Sequence, residues 1–132
     1  MKKVIDKLSW IPVRDRTILF ARSRGQELFY CPGGKREAGE TDEQALLREI
    51  REETGVILDP ATMRHWHTFI GPSVAAPDID VKLTCYDAVG DREPVAMSEI
   101  EELAWFTTAD GDRTTPMGRK ILEWFAGRDL ID

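Results

Sequence analysis

No apolar run in this sequence approaches the roughly 20 residues needed to cross a bilayer, so the chain offers no membrane-spanning helix. The opening stretch MKKVIDKLSW carries lysines but no apolar segment of signal length, because Asp6, Lys7 and Ser9 interrupt it. The expectation is a cytoplasmic protein with no membrane partner. Cysteine and histidine are scarce, at two each. Cys31 and Cys85 lack the spacing of a metal or redox motif and fall in segments that read as strand, which predicts buried free thiols. His65 and His67 share one side of a strand, but no third ligand accompanies them, which argues against zinc. Basic residues are outnumbered: 18 lysines and arginines stand against 24 aspartates and glutamates, a net charge of −6. That balance argues against affinity for a nucleic-acid duplex, and an anionic substrate would need metal ions as mediators.

What is present is a globular composition, 42% hydrophobic and 32% charged, over 132 residues, the size of one domain spanning 1–132. No repeat, low-complexity tract or linker divides it. Val4 to Val13, Thr17 to Ala21 and Glu27 to Cys31 are β-branched or aromatic stretches separated by turn-formers at Arg14–Asp15 and Ser23 to Gln26, and they read as strands. Ile79, Val81, Leu83 and Cys85 alternate with polar residues, the period of a half-buried strand. Met63 to Ile70 and Leu103 to Thr107 are weaker strand signals. The segment Gly71 to Asp78 between two strands reads as a loop that overhangs a pocket.

Two helices are marked by their ends. Thr41 with Gln44 three residues on forms a capping-box signature, Asp42 and Glu43 suit the positive end of the helix dipole, and Gly55 suits the stop. Thr115 and Pro116 fit the N-cap and first turn of a second helix, whose Met117, Ile121, Leu122 and Phe125 recur on one face until Gly127. Strands, a helix, further strands and a closing helix make a mixed α/β layered domain.

The first helix carries the chemistry. At about 100° per residue, Glu49, Glu52 and Glu53 fall within an arc of roughly 100°. Three like charges so placed repel unless cations hold them, and hard oxygen ligands suit Mg²⁺ or Mn²⁺ better than zinc. A glutamate-rich helix is ordinarily just a solvated face. The flanking residues weigh against that reading here: Gly34 to Val56 reads GKREAGETDEQALLREIREETGV. This segment resembles the Nudix box, Gly-x5-Glu-x7-Arg-Glu-U-x-Glu-Glu-x-Gly-U with U a bulky aliphatic. Gly34, Glu40, Arg48, Glu49, Ile50, Glu52, Glu53, Gly55 and Val56 fill every fixed position.

The resemblance implies a Nudix-type α/β/α sandwich with a mixed sheet, and hydrolysis of the pyrophosphate linkage of a nucleoside diphosphate derivative. It implies that Glu49, Glu52, Glu53 and the Gly34 carbonyl hold Mg²⁺ or Mn²⁺, that Arg48 orients Glu49 by a salt bridge, and that Glu40 supports the site from the loop side. The general base in that family lies in the box or on a later loop, so Glu49 competes with Glu99, Glu101 and Glu102, with Glu99 preferred among the later ones. Arg22 and Lys35 are the candidates for substrate phosphates, with Arg24 and Arg36 nearby. Tyr30, Trp10, Phe69 and Trp66 are candidates for stacking a base.

Size and the PGGK turn resemble the small members that cleave nucleoside triphosphates, including oxidised ones, to monophosphates, and this class ranks first. Pro72, sixteen residues past Val56, favours an ADP-ribose hydrolase instead. A non-catalytic nucleotide-binding module is the reading of another class, and the intact box carboxylates weigh against it. Many members of the family are dimers, which adds a homodimer to the expectations. Trp124 reads equally as interface or core.

Overall fold

The computed structural model describes residues 2–132. Among these residues, seven strands and two α-helices follow the order β1 (Val4–Trp10), β2 (Val13–Arg14), β3 (Thr17–Ser23), β4 (Gly33–Lys35), α1 (Asp42–Thr54), β5 (Arg64–Pro72), β6 (Asp80–Asp87), β7 (Ile100–Phe106) and α2 (Pro116–Gly127). Among the described residues, no helix is long and apolar enough to cross a membrane.

Two sheets form. The first is mixed, in the order β4-β1-β6-β5, with β1 parallel to β6 and the other pairings antiparallel. The second is an antiparallel β2-β3-β7 sheet. The period-two geometry of a strand lets one segment feed both faces. On β3, Leu19 joins Leu8, Trp10, Leu46 and Ile50 in the core under α1. Its neighbours Ile18 and Phe20 join Phe106, Ile121 and Phe125 in the core under α2. Helices thus close both sides of the strands, the α/β/α sandwich expected.

Local signals set the boundaries where they are strong. Helix α1 starts at the Thr41 capping box with Gln44 and stops at Gly55, whose φ of 73° is the left-handed cap conformation. Helix α2 starts from Thr115 with Pro116 in its first turn. The expected strand Val4 to Val13 is cut after Trp10, because Pro12 has no N–H to offer a ladder. Val13–Arg14 instead opens a hairpin onto β3 through Asp15 and Arg16, with φ of 50° and 59°, the turn hand that matches strand twist. Glu27 to Cys31 does not form a strand. Phe29 and Tyr30 make only single bridges, to Thr114 and Ala21, and the strand lies beyond Pro32, at Gly33–Lys35.

The two thiols are buried and free, as expected. His65 and His67 are separated by an irregularity in the β5–β6 register, and His67 stacks on Trp124. Trp124 packs against the α2 core beneath Arg128, whose guanidinium carbon is 3.7 Å from the ring centroid.

Because Ile50 is fully buried and anchors the box helix, Ile50→Ala should cost about 2–5 kcal/mol of unfolding free energy in urea titration. The loss should leave the urea slope unchanged.

Candidate active site at the box helix and the Gly33–Lys35 edge

Strand β4 runs beside β1 with Gly33, Gly34 and Lys35 opposite Ser9, Leu8 and Lys7. Glycine is required there by space. A Cβ on Gly33, whose φ is 147°, would lie 1.9 Å from the Leu8 carbonyl oxygen, and one on Gly34 would lie 2.5 Å from the Glu49 carboxyl. The absence of two side chains lets the box helix bring its carboxylates against the strand edge.

Arg48 organises that approach. Its Nε and Nη2 bond the two oxygens of Glu40 at 2.7 Å each, its Nη1 bonds Glu49 Oε1 at 2.9 Å, and Nη2 also reaches the Lys35 carbonyl at 3.1 Å. The forked pairing to Glu40 is the geometry in which arginine binds carboxylate best. It holds Glu40 down to about pKa 2, with a bond from the Glu37 amide assisting.

Glu53 is set differently. Its Oε2 accepts from the Gly33 amide at 3.0 Å. Burial pushes its carboxyl up to about 8, the Gly33 bond opposes this, and the charges of Glu49 and Glu52 raise it further. Glu52 is exposed, with one oxygen 3.8 Å from Arg48. The three carboxylates share a helix face but fan apart, and among the described residues no three acidic, imidazole or thiol groups converge on one ion position. The donor set nonetheless fits a hard divalent cation. A half-buried carboxyl in the field of two others, above a glycine cradle that a Cβ would fill, is a place where positive charge is missing.

The later acidic segment separates into two environments. Glu101 and Glu102 pair with Arg22 at 3.4 and 3.1 Å, and Arg22 also bonds the Gln26 carbonyl and lies over the Phe29 ring. Arg22 is therefore not brought to the box: strand alternation turns it from the face of Ser23, and local acceptors satisfy its guanidinium. Glu99 is placed otherwise. The loop before it docks on the last turn of α1, with Val95 N to Thr54 O at 3.0 Å, Met97 N to Glu53 O at 3.0 Å and Ser98 Oγ to Glu52 O at 3.1 Å. Ser98 takes a left-handed φ of 54° to do so. Glu99, exposed next in sequence, acts with Glu53 and Glu49 to raise the Tyr30 phenol, whose burial is the larger cause.

Beside the carboxylates opens a cavity of about 320 Å³, lined by Lys7, Tyr30, Gly33 and Gly34, by Pro72 at the end of β5 and Ser73 to Ala75 of the loop after it, and by Met117 and Ile121 of α2. The predicted loop thus overhangs a pocket, although strand β5 runs to Pro72 and shortens it. Of the aromatic candidates only Tyr30 lines the cavity, its hydroxyl 2.6 Å from Ser23 Oγ. Trp10 and Trp66 donate to the Ala88 and Ile11 carbonyls, and Phe69 is core. Lys7 escaped sequence reasoning. Its signal was a charge inside a strand whose following residues, Leu8, Ser9 and Trp10, are all buried.

Comparison with known proteins gives the same picture. The family model described as NUDIX domain matches residues 9–125. The chain is 42% identical over 57 residues, 40% of its length and 33% of the relative's, to an RNA pyrophosphohydrolase of Tolumonas auensis. It is 42% identical over 52 residues, 39% of its length and 36% of the relative's, to an 8-oxo-dGTP diphosphatase of Escherichia coli strain K12. The matched part spans about a third of the length of these curated relatives. The crystal structure of a MutT NUDIX hydrolase from Burkholderia pseudomallei is similar with a TM-score of 0.74 and 27% identity, covering 92% of this chain and 98% of that one.

The raised Glu53 carboxyl makes stability fall with pH in the absence of divalent cations. Its folded pKa of about 8 exceeds the ordinary glutamate value of 4.5, so between those values the folded state holds a proton that the unfolded chain has released. Its contribution is intact below the lower value and lost as pH rises through the higher one, by at most about 1.4 kcal/mol per pH unit. Urea titrations in EDTA from pH 5 to 8 should show a flatter decline for Glu53→Gln than for the natural chain.

Proposed function

Because the chain belongs to the Nudix family, we propose that it is a metal-dependent hydrolase of phosphoric anhydrides, cleaving a nucleoside triphosphate, oxidised forms included, to monophosphate and pyrophosphate. The observation that carries this reading is the edge-to-helix assembly. Gly33 and Gly34 admit the α1 carboxylates, Arg48 ties Glu40 to Glu49, and the cavity opens beside them. The names of the two curated relatives agree with it in reaction class. Residues 1–132 are taken as a single domain acting on a small nucleotide in the cytoplasm.

In this reading Glu49, Glu52, Glu53 and the Gly34 carbonyl hold Mg²⁺ or Mn²⁺, which when bound neutralises phosphate oxygens and acidifies water. Arg48 orients Glu49. Lys35, exposed at the end of β4, offers a cation to the phosphates. Glu99 takes the proton of the attacking water as its oxygen bonds phosphorus and the bridging oxygen leaves with the departing phosphate. The pairing of Glu101 and Glu102 with Arg22 leaves Glu99 and Glu49 as the carboxylates for that role.

One observation favours a second substrate class. Pro72, the residue associated with ADP-ribose hydrolases, lines the cavity itself. Products separate the two: pyrophosphate from a triphosphate, against AMP and ribose 5-phosphate from ADP-ribose.

The test is a product screen with Mg²⁺ or Mn²⁺ over nucleoside triphosphates, oxidised deoxynucleotides, ADP-ribose and dinucleoside polyphosphates. Pyrophosphate with a monophosphate is the expected result, and no turnover of any substrate would leave a non-catalytic binding module. On the substrate found, Glu52→Gln should lower kcat about 100-fold or more while unfolding like the natural chain. Full activity at matched Mg²⁺ would remove Glu52 from the site.

Glu99→Gln should slow turnover about 100-fold or more without changing Mn²⁺ affinity, the signature of a lost base rather than a lost ligand. Unchanged turnover would return the role to Glu49.

A further inference from the structure

Lys7 breaks two rules of strand design at once. It lies on β1, which has β4 on one side and β6 on the other, so its position is interior to the sheet. A half-buried ammonium at such a place costs free energy unless it is paired. The residue directly opposite on β4 is Lys35, and like charges facing each other across an antiparallel pair are destabilising. Among the described residues the ammonium has no hydrogen-bond partner: burial is the largest influence on it and lowers its pKa, Lys35 lowers it further, and the fields of Glu53 and Glu49 support its charge. Local conflicts of this kind concentrate where function requires them.

Its surroundings say which function. Lys7 is opposite Leu83 on β6, whose side chain belongs to the α2 core, so Lys7 points away from the box helix and into the cavity. Among the described residues it is the one charged side chain lining a wall that is otherwise Tyr30, Cys31, glycines, Val74, Val81, Leu83, Met117 and similar neutral residues. Gly33 and Gly34 line the same wall and border the carboxylates. With Glu49 and Glu53 committed to a divalent cation, Lys7 and Lys35 remain as the positive charge between the carboxylates and the cavity.

We propose that Lys7 is a substrate-binding residue that grips the phosphate attached to the nucleoside, the one retained in the cavity when the anhydride is cut, with Lys35 beside it. This rests on the hydrolase reading above. The contact is charge-assisted and places phosphorus between the box and the apolar cavity. An ammonium reading a base edge would make the same residue a base selector, and that is the alternative to be tested.

The experiment is calorimetric titration of the full chain, in saturating Mg²⁺, with the 5′-monophosphates of adenosine and the four deoxynucleosides and with the matching nucleosides. Lys7→Met should weaken monophosphate binding about tenfold and leave nucleoside binding unchanged, while Lys7→Arg keeps monophosphate affinity within about threefold. Mn²⁺ affinity should not change in either variant. Because Lys7→Met removes a poorly paired buried charge, it should melt no lower than the natural chain. If it fails to fold, Lys7→Gln takes its place in the same titrations.

Equal weakening of monophosphate and nucleoside would overturn the phosphate contact in favour of the base. Unchanged binding of both, no measurable monophosphate binding by the natural chain, or a matching loss of Mn²⁺ affinity would each overturn it outright. The two readings fail separately. A natural chain that hydrolyses anhydrides while Lys7→Met binds monophosphate normally refutes the Lys7 contact alone. A chain that binds monophosphate through Lys7 but hydrolyses nothing refutes the hydrolase alone.

Discussion

The guanidinium of Arg48 is the interaction on which the site depends. One planar group joins the loop before α1 through Glu40, the helix through Glu49 and strand β4 through the Lys35 carbonyl. A lysine would offer a point charge where the geometry needs a fork, and so could not fix three segments at once. The glycines on β4 complete the arrangement. With no Cβ at Gly34 the Glu49 carboxyl lies over the strand, and with none at Gly33 the strand lies against the Leu8 carbonyl. A second clamp works from the other end of the loop, where Arg36 binds Asp6 on β1 and Asp42 in the first turn of α1, and the Tyr86 hydroxyl also donates to Asp42.

That rigidity is needed because the site is electrostatically unfavourable on its own. Glu53 is pushed up by burial and by Glu49 and Glu52, with only the Gly33 amide and the more distant Lys7 opposing. Glu52 relieves part of the repulsion by remaining exposed. The framework therefore holds together carboxylates that would otherwise move apart, and reserves a place for positive charge.

Much of this was legible in the sequence, and the parts that were not share a physical cause. Helix α1 was readable to its ends because Thr41, Gln44 and Gly55 act locally. The strand Gly33–Lys35 was not, since two glycines and a lysine have little strand preference and extend only because β1 offers partners. Arg22 read as a phosphate ligand from its position near the loop, yet cross-strand register sets it opposite Glu102. Lys7 is unmarked in the sequence for the same reason. Its meaning depends on lying beside Lys35 and above the cavity, which only pairing registers determine.

The carboxylates occupy the C-terminal half of α1, where the helix dipole is negative and disfavours them further. The loop from Val95 to Ser98 offsets this by donating two amides and a hydroxyl to the carbonyls of Thr54, Glu53 and Glu52, with Gly55 N closing on Arg51 O. Those donors neutralise helix-end carbonyls that would otherwise add to the negative field. The same bonds fix the backbone that leads into Glu99, with Ser98 in its left-handed conformation immediately before it. Capping the helix and delivering the proposed base are thus one structural act, and a loop that let go of the helix would lose both.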